Sequence, residues 1–451
     1  MTTSRDPEAV IETVRERVDP DPGERAALDA AVDSLVDRTE AALADLDVEA
    51  SVLQVGSTAR GTWVSGDRDI DVFVQFDPEL PRTDLERLGL QVGRDVLPDG
   101  HTEFAEHPYV TGEFRGFAVD LVPCYAVPDA TQIQSAVDRT PFHNAYLKAR
   151  LDDELAGAVR LFKQFLKGIG SYGSDLRTEG YSGYIAELLV LEYGGFRETL
   201  QAASEWHPPV HLDPAEHGTR SFDDPLVVVD PTDPERNVAA VVSHAHVARL
   251  THYARQFLAD PGVDFFFPPA TSPMDEDAVR AAIQKRDTTP LAVVFDPPDL
   301  VADQLYPQLR RSLAGLVRGL ENAGFDVLRG ETWARDRAVL FVELSVADLP
   351  AIERHEGPPV HAQPHAERFY ETYVDSEAIG PFIDGDRYVV ERPREITSAE
   401  QFVAERLTTV ALGAQIEPVL EDEFVLEVGT DVAVLAEAFG SELAAYFHPS
   451  P

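Results

Sequence analysis

A chain of 451 residues with 44% apolar content is too long for one ordinary core and can build roughly two to four domains. Its 80 acidic against 38 basic side chains give a formal net charge of −42, spread along the whole length, so it is not the block of low hydrophobicity that marks a disordered acidic tail. The lone Cys124 excludes an internal disulfide framework and a thiolate-rich zinc site and reads as a buried small hydrophobe.

No stretch approaches the run of about eighteen apolar residues that a membrane span needs, and no apolar leader opens the chain, so the expected compartment is the cytoplasm. The lysines are only Lys148, Lys163, Lys167 and Lys285. A normal core beneath an acidic, lysine-poor surface points to a cytoplasm of very high salt. An ordinary acidic protein that avoids nucleic acid is the alternative reading of the same charge.

Residues up to 46 carry helical periodicity, with Ala26, Leu28, Ala31, Leu35, Ala41, Ala42 and Leu43 as an apolar stripe. Residues 52–55 form a short apolar strand, and residues 70–76 a second. Between them run Gly56-Ser57-Thr58-Ala59-Arg60-Gly61-Thr62-Trp63 and Gly66-Asp67-Arg68-Asp69-Ile70-Asp71. The first is a small-residue turn that can hold phosphate. The second brings two aspartates onto one face of a strand, since side chains two apart project together. Ile70, Val72, Val74 and Phe76 take the opposite face and supply the core contact.

A helix over residues 84–95 precedes a strand over residues 117–123, where Asp120 interrupts an apolar run. An edge-strand gatekeeper is one reading; a third acid beside Asp69 and Asp71 is the other, if the two strands pair. Three convergent carboxylates without a histidine-cysteine set select a hard cation, Mg²⁺ when phosphates are present. Two such ions can drive in-line nucleotidyl transfer.

From residue 139 the pattern turns helical, with Val159, Phe162, Leu166 and Ile169 on one stripe and Lys163 and Lys167 on its flank. Gly168-Ile169-Gly170-Ser171-Tyr172-Gly173 satisfies G-x-G-x-x-G, but it follows a helix where a dinucleotide site must follow a strand, so it reads as a helix stop. Residues 183–193 form an apolar helix ended by Gly194-Gly195. Thr232-Asp233-Pro234-Glu235 has the form of a capping box starting a helix through Val238, Val242, Ala245 and Tyr253. Arg236 would then stand in its first turn, facing either an anionic partner or solvent.

Beyond a proline-rich linker at residues 267–273, strands at residues 291–295 and 338–344 flank a helix at residues 303–322, an α+β pattern. Gly357-Pro358-Pro359 reads as a second break. Helices follow at residues 366–374, from Ser398, and at residues 432–447 with Leu435, Phe439, Leu443 and Phe447 on one stripe.

With these motifs placed, the chain resembles the archaeal, class I CCA-adding enzymes, tRNA nucleotidyltransferases of the polymerase-β superfamily. The resemblance rests on the turn and the paired aspartates, on Asp120, on Arg139-Thr140-Pro141-Phe142-His143, and on the run from Val159 through Ser171-Tyr172-Gly173 to Tyr184. Asp230-Pro231, Arg236-Asn237-Val238-Ala239 and Leu305-Tyr306-Pro307-Gln308-Leu309 extend it. It implies an α+β multidomain protein: a polymerase-β-like nucleotidyltransferase head over residues 1–145 and a helical neck over 146–270. An α+β body over 271–325 and 395–451 follows, with a tail contacting tRNA over 326–394.

The implied activity is template-independent addition of C, C and A to the 3′ end of tRNA from CTP and ATP. By resemblance Asp69, Asp71 and Asp120 hold two Mg²⁺ ions and are catalytic. Gly56, Ser57, Arg60, His143, Lys163 and Tyr172 bind the nucleotide, and Arg236 helps select the base. Sequence alone would make His143 a plain histidine and Tyr172 an ordinary loop aromatic. The first carboxylate is aspartate where some relatives carry glutamate. The tRNA acceptor end is the partner, and a homodimer is left open. Acidic charge need not oppose RNA binding, because at molar salt recognition passes to shape, 2′-hydroxyls and arginine pairs with phosphate. The rivals are a poly(A)-polymerase-like enzyme of the same superfamily and a non-catalytic RNA-binding relative.

Overall fold

Each of the first two helices starts from an aspartate followed by proline. Asp6 accepts from the Glu8 N–H at the head of α1 (Pro7–Val18). Asp21 accepts from Gly23 and Glu24 while the Glu24 carboxylate takes the Asp21 N–H, a full capping box for α2 (Pro22–Ala44). The computed structural model describes residues 6–104 and 106–451. The chain forms two units, one ending at Pro269 and one spanning Ala270–Ser450.

The first unit is built on a five-stranded sheet. It contains β1 (Ala50–Val55), the one-turn α3 (Gly56–Ala59), β2 (Asp69–Phe76), α4 (Arg82–Val96), β3 (His101–Phe104), β4 (Pro108–Phe114) and β5 (Phe117–Tyr125), with strand order β1-β2-β5-β4-β3. β2 and β5 run parallel at the centre; their outer neighbours are antiparallel. Ile70, Val72, Val74 and Phe76 join Val119 and Leu121 in one core with Leu28 and Leu35 of α2 and Leu85 and Val92 of α4. Each such side chain contributes about 1.5–3 kcal/mol when fully buried. Two helices thus cover one face of the sheet, while the other carries the aspartates at one end and a small core of Val55, Phe73, Val122 and Cys124 beyond them. Within α2, Leu28, Ala31, Leu35 and Leu43 are buried as expected, whereas Ala26 and Ala41 face outward.

Helices α5 (Thr140–Lys148), α6 (Asp153–Gly168), α7 (Gly183–Tyr193), α8 (Phe196–Ser204) and α9 (His244–Ala259) follow, with strands β6 (Val210–Leu212), β7 (Leu226–Asp230) and β8 (Asp233–Asn237) between the last two helices. Val159, Phe162, Phe165 and Leu166 of α6 share a core with Ile185, Leu188 and Leu189 of α7. Val10, Val14 and Val18 of α1 pack into this helical core too. α7 ends on Gly194 at φ +86°, the left-handed stop that glycine provides.

The expected helix from Thr232 is absent. Asp230 instead takes the Thr232 N–H at 2.9 Å and its hydroxyl at 2.8 Å, and Asn237 accepts from the N–H groups of Val228 and Ala239, both at 2.9 Å. Those bonds satisfy the segment as the β7–β8 hairpin, so Arg236 lies on a strand. The helix starts at His244, capped by Ser243.

The second unit holds α10 (Glu276–Arg286), β9 (Thr289–Phe295), α11 (Ala302–Asn322), β10 (Val327–Ala334) and β11 (Ala338–Leu344). It continues with β12 (Ile352–Pro359), α12 (His365–Tyr373), β13 (Ile379–Asp384), β14 (Arg387–Pro393), α13 (Ala399–Arg406), α14 (Glu417–Asp422), β15 (Val425–Val428) and α15 (Ala436–Phe447). The antiparallel sheet β10-β11-β9-β15 alternates cleanly. Leu291, Val293 and Phe295 face Leu305, Leu309 and Leu316 of α11, while Ala292 and Val294 join Ile283, Phe439 and Leu443. A second sheet has order β12-β14-β13.

Gly357-Pro358-Pro359, expected as a break, closes the edge strand β12 across a register shift, a place where proline costs no ladder bond. The expected closing helix is split: a 3₁₀ segment, Gly429–Leu435, precedes α15, which kinks at Phe439. Leu435, Phe439, Leu443 and Phe447 are nevertheless all buried.

Candidate functional site

The turn between β1 and β2 is fixed by its own backbone. Ser57 O accepts from the N–H groups of Arg60 and Thr62 at 3.3 and 3.0 Å, and Gly56 and Gly61 take φ of +78° and +67°. Gly56 has a second reason to be glycine, since a Cβ there would lie 1.9 Å from Asp71 Oδ2. The backbone of the turn therefore sits directly against the second aspartate. Gly56→Ala is expected to displace that carboxylate, and misplacing a catalytic group by ~1 Å costs on the order of a hundredfold in rate. Nucleotide incorporation by the variant beside the wild type checks this.

The pairing of the strands decides the reading of Asp120. β2 and β5 are parallel neighbours in which Asp71 stands opposite Asp120, and β4 closes the other side of β5. β5 is thus an interior strand, and Asp120 joins Asp69 and Asp71 on one face of the sheet. Burial raises the Asp71 carboxyl to about 6, helped by Asp120 and Asp69 and opposed by Arg60. Burial also raises Asp69, with Asp67 and Asp120 adding and Lys167 opposing.

Such mutual repulsion in a part-buried site is relieved by a cation, and the all-oxygen donor set fits a hard divalent ion. Among the described residues no three acidic, histidine or cysteine side chains are gathered closely enough to hold an ion by themselves.

Behind the turn lies a buried carboxylate that the sequence reading passed over. Glu187 of α7 is fully enclosed. Its Oε2 accepts from Arg60 Nε and Nη2 at 3.1 and 2.8 Å, and its Oε1 accepts from the Thr62 hydroxyl and from Lys163 Nζ at 3.3 Å. Lys163 gives its other donors to the Thr62 carbonyl and hydroxyl at 3.1 and 3.3 Å and is 3% exposed. Burial penalises both ions; Lys163, Arg60 and Thr62 hold the Glu187 carboxyl below its usual range, and desolvation depresses the Lys163 ammonium against Glu187's pull. Arg160 of α6 donates to the Gly61 carbonyl and, at 2.6 Å, to Asp19. The signal for Glu187 was the one that exposed Asp120: an acid alone in an apolar run.

A second buried carboxylate, Asp230 at the end of β7, gathers the other expected residues. His143 Nε2 donates to its Oδ2 at 2.8 Å and Arg236 Nη1 at 2.7 Å. Burial opposes ionisation, yet His143 and the Thr232 donors hold this carboxyl well below the usual range. The His143 ring stacks on Tyr184, centroids 4.1 Å apart. Arg60 Nη1 donates to Asn144 Oδ1 at 2.9 Å, which ties the two clusters together through α5.

Tyr172 lies in the loop after α6, its hydroxyl pushed up to about 12 by burial and by Asp67, Glu187 and Asp69. Lys167 stands 5.3 Å from its ring centre and pairs with Asp67 at 3.1 Å. Ser57 is half-buried in the turn. Cys124 is buried with Val55, Phe73 and Val122, and burial pushes its thiol far up.

The geometry is accompanied by likeness along the whole chain. Family models match in series: a nucleotidyltransferase domain over residues 36–143, a tRNA nucleotidyltransferase second domain over residues 157–267, and a CCA-adding enzyme C-terminal domain over residues 286–429. A CCA-adding enzyme of Halobacterium salinarum is 63% identical over 448 residues, covering 98% of this chain and 99% of its own. The chain belongs to the CCA-adding enzyme family. A second member, from Haloarcula marismortui, is 57% identical over 98% of this chain and 99% of its own. Among solved structures, E. coli MS115-1 CdnC with ATP aligns at TM-score 0.44 and 20% identity, over 59% of this chain and 94% of that one. The family assignment agrees with an α+β, multidomain nucleotidyltransferase. Among the described residues no helix is long and apolar enough to cross a membrane.

Proposed function

We propose that this chain adds C, C and A to the 3′ end of tRNA, taking CTP and ATP as substrates and releasing pyrophosphate, without a template. The observation that carries the proposal is the Asp71–Asp120 pairing beside the Gly56 turn, in a chain that belongs to the CCA-adding family over 98% of its length. Asp69, Asp71 and Asp120 would hold two divalent ions, Mg²⁺ in this reading. Ions held by these three carboxylates would supply activation of the attacking hydroxyl and charge neutralisation of the leaving pyrophosphate.

The residues around them divide the remaining work. The backbone of the Gly56–Ser57 turn and the Arg60 guanidinium face the triphosphate, with Lys163 enclosed behind Arg60. His143 and Tyr172 border the ribose and phosphates. Arg236, half-exposed and oriented by Asp230, reads the base edge together with the tRNA end. Residues 1–145 act as head and 146–270 as neck. The expected border between a body of 271–325 with 395–451 and a tail of 326–394 divides one sheet, since β11 pairs with both β9 and β10. β10 and β11 therefore go with the body, and the rest, 345–394, acts as the tail that holds tRNA. The acidic, lysine-poor surface and the halophile relatives fit a cytoplasm of high salt.

Product length tests the proposal against a tail-adding enzyme. With tRNA lacking its three terminal nucleotides, CTP alone should add two residues, and CTP with ATP should add three and stop. Continued growth with ATP would identify a poly(A)-polymerase-like activity, and no extension at all a non-catalytic relative.

A further inference from the structure

Arg60 and Lys163 were expected to meet the triphosphate directly, yet both are bound to Glu187. Two cations on one buried carboxylate leave a surplus of one positive charge next to the metal-binding aspartates. A buried carboxylate is costly unless it is paired, and this one interrupts the apolar run Ile185–Leu191 of α7. Its contacts span the chain from Arg60 and Thr62 in the turn to Lys163 in α6.

The stoichiometry of the bonds is informative. All three ammonium donors of Lys163 are spent inside the cluster. Arg60 has five N–H groups and uses three, two on Glu187 and one on Asn144. Two N–H groups remain on a planar fork whose orientation is already fixed. A guanidinium fixed in this way loses little freedom when it binds a planar anion or a phosphate. The Gly61 carbonyl is pinned separately by Arg160, so the whole turn is fastened to α6 and α7 from behind. Gly183 keeps the approach clear, since a Cβ there would lie 3.1 Å from the Tyr172 hydroxyl and 3.5 Å from Lys163 Nζ.

We infer that Glu187 is a positioning residue for nucleotidyl transfer: it holds the Arg60 fork and, through Thr62 and Lys163, the phosphate turn in the geometry that receives the nucleotide triphosphate. The inference rests on the activity proposed above and adds to it a residue that never touches the substrate. Lys163 thereby serves the site from within, as a counter-ion that keeps Glu187 charged.

A double-mutant cycle separates positioning from mere stability. Glu187→Gln keeps the shape and removes the charge; kcat/KM for CTP and for ATP should both fall about thirtyfold, with the tRNA Kd unchanged. Arg60→Ala should cost about a hundredfold, and the double variant no more than Arg60→Ala alone, because Glu187 acts through Arg60. Glu187→Asp, which retains the charge, should recover part of the loss. Losses that multiply in the double variant, or a Glu187→Gln enzyme within twofold of the wild type, would overturn the inference.

Should Glu187→Gln not fold, Thr62→Val removes one donor from the same carboxylate and should lower kcat/KM for both nucleotides about fivefold; an unchanged value overturns the inference equally. Calorimetric binding of CTP without tRNA reads the positioning apart from turnover. Weakening of about tenfold in Glu187→Gln is expected, and undiminished binding counts against Glu187. Failure of the wild-type chain to extend tRNA would instead strike the proposed activity.

Discussion

Asp71→Asn abolishes nucleotide addition while leaving tRNA binding near the wild-type level. Metal ions supply several kcal/mol of transition-state stabilisation and each ~1.4 kcal/mol is tenfold, so kcat should fall about a thousandfold or more. The variant also reports on the strain stored at the site. Asp71 is raised to about 6 in the folded, metal-free chain, above the ordinary carboxylate value of 3.8. The folded state therefore binds the proton more tightly than the unfolded one between those values. On this account, stability falls as pH rises from about 4 to about 6, and the ionised carboxylate is a net cost above that.

In the presence of a chelator Asp71→Asn should be the more stable protein at pH about 7, and its advantage should shrink as pH is lowered toward about 4. Thermal melts of both proteins across that range check the sign. A variant less stable than the wild type at neutral pH would mean that Asp71 is held by donors rather than poised for a cation.

Loss of Asp230 should produce the second large effect, of a different kind. The carboxylate collects four donors, from His143, Arg236 and the Thr232 N–H and hydroxyl. Asp230→Ala leaves them without their acceptor, and breaking a buried ionic group of this sort costs about 3–5 kcal/mol. The lower end is expected, because Arg236 is part-exposed and recovers water. Chemical unfolding measures it.

Asp230→Asn keeps the shape and releases Arg236, so the function can be tested in a folded protein. Discrimination between CTP and ATP should fall about tenfold, corresponding to ~1.4 kcal/mol of lost selectivity, while the rate with the correct nucleotide changes less. Unaltered discrimination would remove Arg236 from base selection and leave Asp230 as a structural acceptor for the β7–β8 hairpin.

The residues that chemistry needs were more legible than the residues that hold them. Asp69 and Asp71 declare themselves through the two-residue period of a strand, and Asp120 through its intrusion into an apolar run. Gly56 was visible as part of a small-residue turn, but its contact with the Asp71 carboxylate is tertiary and no local pattern encodes it. That Asp71 stands opposite Asp120 depends on which strands become neighbours, 49 residues apart in the chain. Glu187 carried the same signature as Asp120, yet α7 holds two acids, Glu187 and Glu192, either of which suits a solvated edge, and only burial distinguishes them.

Around Arg236 the local signal was present and misleading. Thr232-Asp233-Pro234-Glu235 has capping-box chemistry, but Asp230, two residues earlier, captures Thr232 first, and Asn237 supplies side-chain acceptors that a helix would not need. The outcome was a hairpin, and it brings Arg236 to the same carboxylate as His143. Gly357-Pro358-Pro359 failed for the opposite reason: prolines that exclude a central strand are tolerated on the edge of β12, and edge position is a property of the assembled sheet.

Metal stoichiometry addresses the central claim most directly. Mn²⁺ binding can be followed by electron paramagnetic resonance in the presence of tRNA and a CTP analogue that cannot react. The wild-type chain should bind two ions in the complex, and Asp71→Asn and Asp120→Asn should each lose them while retaining tRNA. Full occupancy in both variants would show that the three carboxylates do not hold the ions, and would contradict the mechanism built on them.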